Sequence, residues 1–255
     1  MHGTRGFDEL VAEAAGVAIE GWDFGWLDGR AVGSDPSWSY PAMAAELVRS
    51  AGRLLDIDTG GGEFLASLAP LAAHTIAVEG WAPNMPVARR RLAPLGVEVR
   101  FAPDKTLPVG DADVDVVLDR HGRLEAEEIA RVLRAGGWLL TQQVGSDDCA
   151  ELNEALGAPA ARGTGWNAES AARAVAAAGL DVVDVREERP GLAFYDVGAV
   201  VYQLRAVPWQ VPDFTVERYA DGLRRIDEHI RGHGEFRVHA HRFLIRGILR
   251  GSPAR

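Results

Sequence analysis

Between residues 53 and 144 short apolar runs alternate with longer amphipathic stretches. Residues 53–57, 75–78, 97–101, 115–118 and 138–144 read as buried strands. Residues 63–71, 83–92 and 125–133 read as the helices between them, the last ending at Gly136-Gly137. Such spacing predicts parallel strands joined by right-handed crossovers. Upstream, Leu10, Val11, Ala14, Val17 and Ala18 recur at helical spacing over 7–20. An aromatic, glycine-containing stretch from Gly21 to Tyr40 reads as a loop, and 41–51 as a helix. Downstream the pattern predicts a helix over 170–178 stopped by Gly179, a strand over 182–185 and a last strand over 243–249. Between those two strands Asp196 and Thr215 are placed to cap helices running to 205 and 230.

The seven strands define an α/β fold: a doubly wound, Rossmann-like, mostly parallel seven-stranded sheet with helices on both faces. The N-terminal helical and aromatic segment and the C-terminal helical insertion are expected as its cover. One domain over 1–255 follows, with a cap segment at 1–50, a core at 51–189, an insertion at 190–240 and the last strand at 241–251. The 255 residues, 47% apolar and 25% charged, fit a globular protein that needs no staple. The lone Cys149 excludes an internal disulfide. A net charge of −10 offers no basic face for nucleic acid. The start, MHGTRGFDEL, lacks the apolar core of a signal peptide, and the apolar stretch over 64–78 is interrupted by Ser67, Pro70 and His74. A cytoplasmic location without membrane association is the expectation. His229 and His233 have ligand-like spacing, with His239 and His241 following. Gly232 and Gly234 are expected to break the helix there, and no metal site is assigned.

The informative passage is Leu55-Asp56-Ile57-Asp58-Thr59-Gly60-Gly61-Gly62-Glu63, after the first strand of the core. Glycines there allow positive φ and close approach of a ligand to the backbone. Glu79 ends the next strand, where a carboxylate accepts hydrogen bonds from ribose hydroxyls. A tight strand–helix turn beside a solvated acid is the purely structural alternative. The dinucleotide pattern would need a third glycine where Leu65 stands. Asp56 and Asp58 suit a cation better than a diphosphate, which favours the sulfonium and ammonium of S-adenosylmethionine.

Asp56-x-x-x-Gly60-x-Gly62, Glu79, Val114-Asp115-Val116-Val117-Leu118 and Arg131-Val132-Leu133-Arg134-Ala135-Gly136-Gly137 together resemble class I S-adenosylmethionine-dependent methyltransferases over about residues 50–145. Two positions depart from that pattern. Asp58 stands where the family usually has its first glycine, and Pro103 where an adenine-contacting Asp often sits, so Asp104 takes that role one place later. The resemblance implies S-adenosylmethionine as cofactor, with Asp56, Asp58, Thr59, Gly60 and Gly62 along its methionine part and Glu79 on the ribose. It further implies Gly80 and Trp81 flanking the adenine, and Asp119 with Arg120 near the methionine end.

His121 follows the fourth core strand and is the candidate general base for a small-molecule acceptor; the alternatives are a loop-bonded histidine or a donor contact. Arg120 would orient a carboxylate or pair with a surface Asp. Trp22, Trp26, Trp38, Tyr40, Phe194, Tyr195, Tyr202 and Trp209 would either wall an acceptor pocket or close the core. A nicotinamide-dependent oxidoreductase and a non-catalytic S-adenosylmethionine-binding module remain the alternative functions, and the oligomeric state is open.

Overall fold

The computed structural model describes residues 5–19, 24–160 and 165–251. In chain order its elements are α1 (Phe7–Gly16), β1 (Ala31–Gly33), α2 (Tyr40–Ser50), β2 (Arg53–Ile57), α3 (Glu63–Ser67), β3 (His74–Glu79), α4 (Met85–Leu92), β4 (Glu98–Phe101), β5 (Val114–Arg120) and α5 (Ala126–Val132). They continue with β6 (Leu133–Val144), α6 (Ala150–Leu156), α7 (Ala168–Ala177), β7 (Leu180–Glu188), β8 (Gly191–Phe194), α8 (Val197–Ala206), α9 (Ala220–His233), β9 (Phe236–His239) and β10 (Arg242–Leu249). Contacts divide the chain into two compact units, each assembled from three separated stretches. One comprises the described residues of Met1–Pro36, Gly145–Trp166 and Glu188–Arg242; the other comprises those of Ser37–Val144, Asn167–Glu187 and Phe243–Arg255.

The second unit holds the expected seven-stranded sheet, in the order β4-β3-β2-β5-β6-β10-β7. The strands from β4 through β6 in that order run parallel. On β2, β5 and β6 the alternate residues Leu54, Val116, Leu118 and Leu140 pack with Leu47, Leu65, Ala88 and Leu92 of α2, α3 and α4. Their neighbours Leu55, Val117 and Leu139 point the other way and are fully buried too. Both faces of the sheet are therefore covered, as apolar parallel strands require. The buried carboxylate of Asp115 accepts hydrogen bonds from the backbone N–H groups of Gly52 and Arg53, at 2.7 and 2.8 Å, and so anchors the start of β2 beside β5.

The first unit contains a three-stranded antiparallel sheet, β1-β8-β9, that hydrophobic patterning did not reveal. Its core gathers Leu10 and Ala14 of α1, Leu152 of α6, Val200, Val201 and Leu204 of α8, and Leu223 and Ile226 of α9. The 190–240 stretch is accordingly not purely helical. Asp196 caps α8 as expected, accepting from the Ala199 N–H at 2.9 Å.

Several expectations need correcting. The Thr215 hydroxyl accepts from the Arg218 N–H at 3.1 Å and closes a turn, and α9 begins only at Ala220. Gly232 does not break α9, which runs to His233 and ends at Gly234 in the left-handed conformation. Phe194 is the last residue of β8 and is fully buried. The stretch read as an aromatic loop contains β1 and a short 3-10 turn over Gly25–Leu27, and α2 already starts at Tyr40. Gly21, Trp22 and Asp23 lie outside the described residues. Trp26 stacks on Tyr202 at 4.9 Å within the core of the first unit, while Trp38 and Tyr40 are buried in that of the second. For these rings core packing, not a pocket wall, is what the structure shows.

Candidate active site

Parallel register brings the carboxyl ends of four strands level. Ile57 pairs with Val78, one residue before Glu79, and with Asp119, which in turn pairs with Thr141. Beyond β2 the chain turns back over this edge. The Thr59 N–H donates to Val78 O at 3.0 Å, the Gly62 N–H to Thr59 O at 3.0 Å, and Asp58, Gly60 and Gly62 all have positive φ. Asp58 thus adopts, at φ 52°, the left-handed conformation that glycine takes without penalty.

Glu79 is buried, and its two carboxylate oxygens accept from the backbone N–H groups of Gly60 and Trp81, each at 2.7 Å. It clamps the turn after β2 to the turn after β3. Asn84 adds a side-chain hydrogen bond. Since a carboxylate oxygen accepts more than one hydrogen bond, Glu79 keeps capacity for a pair of hydroxyls. Asp119 is fully buried. Its Oδ2 accepts from the Thr141 hydroxyl at 3.1 Å and the Gln143 amide at 2.8 Å, and its Oδ1 from the Gly122 N–H at 3.0 Å.

The four acids at this edge share an electrostatic character. Burial, reinforced by Asp58 and Glu79, pushes the Asp56 carboxyl up to about 7 against the pull of the Thr59 hydroxyl and Arg120. Burial, with the Asp58 and Asp56 charges, pushes Asp119 up to about 8. Burial also raises Asp58, although hydrogen bonds and charge from Arg123 oppose it, and raises Glu79. Burial, with the Asp56 and Asp119 charges, lifts the Tyr40 hydroxyl, which donates to Leu140 O at 3.2 Å. A desolvated cluster of this kind favours a bound cation over any anion.

The remaining expected residues are dispersed around this edge. Trp81 is 59% exposed beside Gly80, and the exposed Asp104 accepts from the Thr106 N–H at 3.0 Å within its own loop. The Arg120 guanidinium lies over the Phe64 ring at 4.8 Å. His121 is exposed, with φ 65°; its N–H donates to Gln142 O at 2.7 Å and its Nε2 lies 2.9 Å from the Gln142 amide. Gln142 in turn accepts from the Trp38 indole at 2.8 Å. The sequence pattern assigns no role to Arg123, Gln143 or Asn84. Asp58, a charge at a glycine position, was the signal that a counter-cation such as Arg123 should exist. Among the described residues no cluster of three or more His, Cys, Asp or Glu could hold a metal ion, and no helix is long and apolar enough to cross a membrane.

Comparison with known proteins agrees with this geometry. Residues 55–141 match the family described as "Methyltransferase domain". A demethylmenaquinone methyltransferase of Clavibacter sepedonicus is 33% identical over 114 residues, a stretch covering 42% of this chain and 46% of that protein, so the chain matches about half of its relative's length. A putative methyltransferase from Bacillus halodurans C-125 superposes with a TM-score of 0.62 at 17% identity, over 84% of this chain and all of the other. The YcgJ protein of Bacillus subtilis gives 0.59 at 18% identity, over 83% and 98%. The last two share the fold. The matched segment is thus similar to methyltransferase domains, in keeping with its strand order and turn residues.

Proposed function

We propose that the protein transfers a methyl group from S-adenosylmethionine to a small-molecule acceptor in the cytoplasm. The observation that carries this reading is the cluster of buried Asp56, Glu79 and Asp119 with half-buried Asp58 around the turn after β2, an acceptor set suited to a cationic nucleoside. Glu79 would accept from the ribose hydroxyls. Gly60 and Gly62 would let the methionine part lie on backbone, and Asp56 and Asp119 would face its positive charges. Gly80 and Trp81 would border the adenine, with Asp104 at its rim. The bound cofactor supplies an already activated methyl group, whose C–S bond breaks as the acceptor's bond to the methyl carbon forms.

The chain's own task is then alignment, which contributes up to about 7–11 kcal/mol in favourable intramolecular cases. His121 stands exposed after β5, where its imidazole could take the acceptor's proton. The deficit of positive charge argues for a small acceptor over nucleic acid.

Calorimetry tests the reading. Wild-type protein should bind S-adenosylmethionine and S-adenosylhomocysteine with micromolar affinity, and Glu79→Ala should weaken both by at least about tenfold. No saturable binding to the wild type refutes the reading. The role of His121 is tested separately: His121→Asn should leave donor affinity unchanged and lower turnover about 100-fold. Unchanged turnover would remove the imidazole from the reaction.

A further inference from the structure

Arg123 bonds to two of the turns at this edge and lies against the third. Its backbone N–H donates to Asp58 Oδ2 at 2.9 Å, and its guanidinium lies 3.0 Å from Asp58 Oδ1. Nη1 donates to the carbonyl of Asp104 and Nη2 to that of Ala102, so one side chain holds the turn after β2 and the loop after β4. It also lies on Gly80. A Cβ built there would come within 3.2 and 3.3 Å of the two guanidinium nitrogens and 2.9 Å of Ala102 O. The group is three-quarters buried, and the residues it restrains after Ala102, namely Pro103 to Thr106, are exposed.

We propose that Arg123 is the gate residue of the nucleoside slot: its guanidinium fills the space over Gly80 between Asp58 and the Ala102 and Asp104 carbonyls, and must leave those partners for an adenine to lie there. This rests on the donor reading above, which assigns Gly80 and the loop after β4 to the adenine. Three consequences follow from the geometry. A planar group laid on Gly80 coincides with the guanidinium, so the two compete for one volume. The two carbonyls that Arg123 vacates face the slot as acceptors, matching the exocyclic amino group of adenine. Departure of the guanidinium also removes the cation nearest Asp58 and returns that carboxylate's charge to the donor's sulfonium and ammonium. Apparent affinity is then the intrinsic affinity scaled by the fraction of molecules in which Arg123 has swung out.

The experiment compares wild type, Arg123→Ala, Arg123→Lys and Glu79→Ala by calorimetry with adenosine and with S-adenosylhomocysteine, and by amide exchange in the ligand-free proteins. A gate requires Arg123→Ala to bind both probes about tenfold more tightly than wild type. Arg123→Lys, which keeps the charge without the planar fork, should fall between them. In ligand-free Arg123→Ala, exchange at Asp104 to Thr106 should rise about tenfold, because the loop loses its tie. Equal or weaker binding by a folded Arg123→Ala overturns the gate while leaving the donor reading intact, since Glu79→Ala still reports on the latter. If Arg123→Ala does not fold, Arg123→Lys decides: tighter binding supports the gate, and unchanged or weaker binding overturns it. Failure of every variant, wild type included, to bind either probe overturns both.

Discussion

Lowering the pH from about 8.5 to about 6 is expected to weaken S-adenosylmethionine binding on the order of 100-fold, while adenosine binding changes little. The sign follows from the buried acids. Asp56 and Asp119 titrate at about 7 and about 8, so acidification in this window converts two facing carboxylates to neutral acids. A neutral pair no longer attracts a sulfonium or ammonium, whereas a ribose and a purine carry no charge to lose. Burial raises Asp58 and Glu79 in the same direction. Stability without ligand should run the other way. A carboxyl whose folded pKa lies above its unfolded value contributes stability that is present below about pH 4 and lost as pH rises through the folded value. The melting temperature of the ligand-free protein should therefore fall from about pH 6 to about pH 8.5, and Asp119→Asn should flatten that slope. Donor affinity independent of pH over this range would show that these acids do not face the cation.

Gly62→Ala is expected to destabilise the protein by about 2–5 kcal/mol and to abolish measurable donor binding. Two costs combine. The residue sits at φ 80°, where a Cβ costs about 1–2 kcal/mol, and that Cβ would lie 2.8 and 2.9 Å from Cγ and Cδ1 of Leu92. Leu92 is fully buried against Leu54 and Leu65, so relief requires repacking of α4 at about 1–3 kcal/mol. Binding is lost because any shift of the turn moves the Gly60 N–H away from Glu79. Combining Gly62→Ala with Leu92→Ala should be less damaging than the sum of the single changes, since the second removes the clash created by the first. Thermal unfolding of the three variants checks this, and strict additivity would mean the two side chains do not collide.

The sheet of the second unit was legible because buried parallel strands leave continuous apolar runs, and Glu79 and Asp119 because each ends such a run. The sheet of the first unit was not. Its strands have three or four residues, too few to show alternation, and β1 pairs with a strand about 160 positions away, Ala31 opposite Phe194. Thr215 misled because a hydroxyl accepting from the third residue on serves a turn as well as a helix start. Gly232 misled because one glycine costs a helix only about 1 kcal/mol, which the burial of Ile226 and Ile230 in α9 offsets. Arg123 escaped notice because its partners, Asp58 and the carbonyls after β4, are distant in sequence and meet only once the strands are in register.

The position of β10 bears on how the molecule comes into being. The sheet's final strand in sequence lies between β6 and β7, so β7 has no neighbour, and β6 keeps an open edge, until residues 242–249 have left the ribosome. A nascent chain halted anywhere before them carries an unpaired sheet margin able to recruit other polypeptides. Completion of the sheet accordingly waits on its last-made strand, and until then chaperones can engage the open margin.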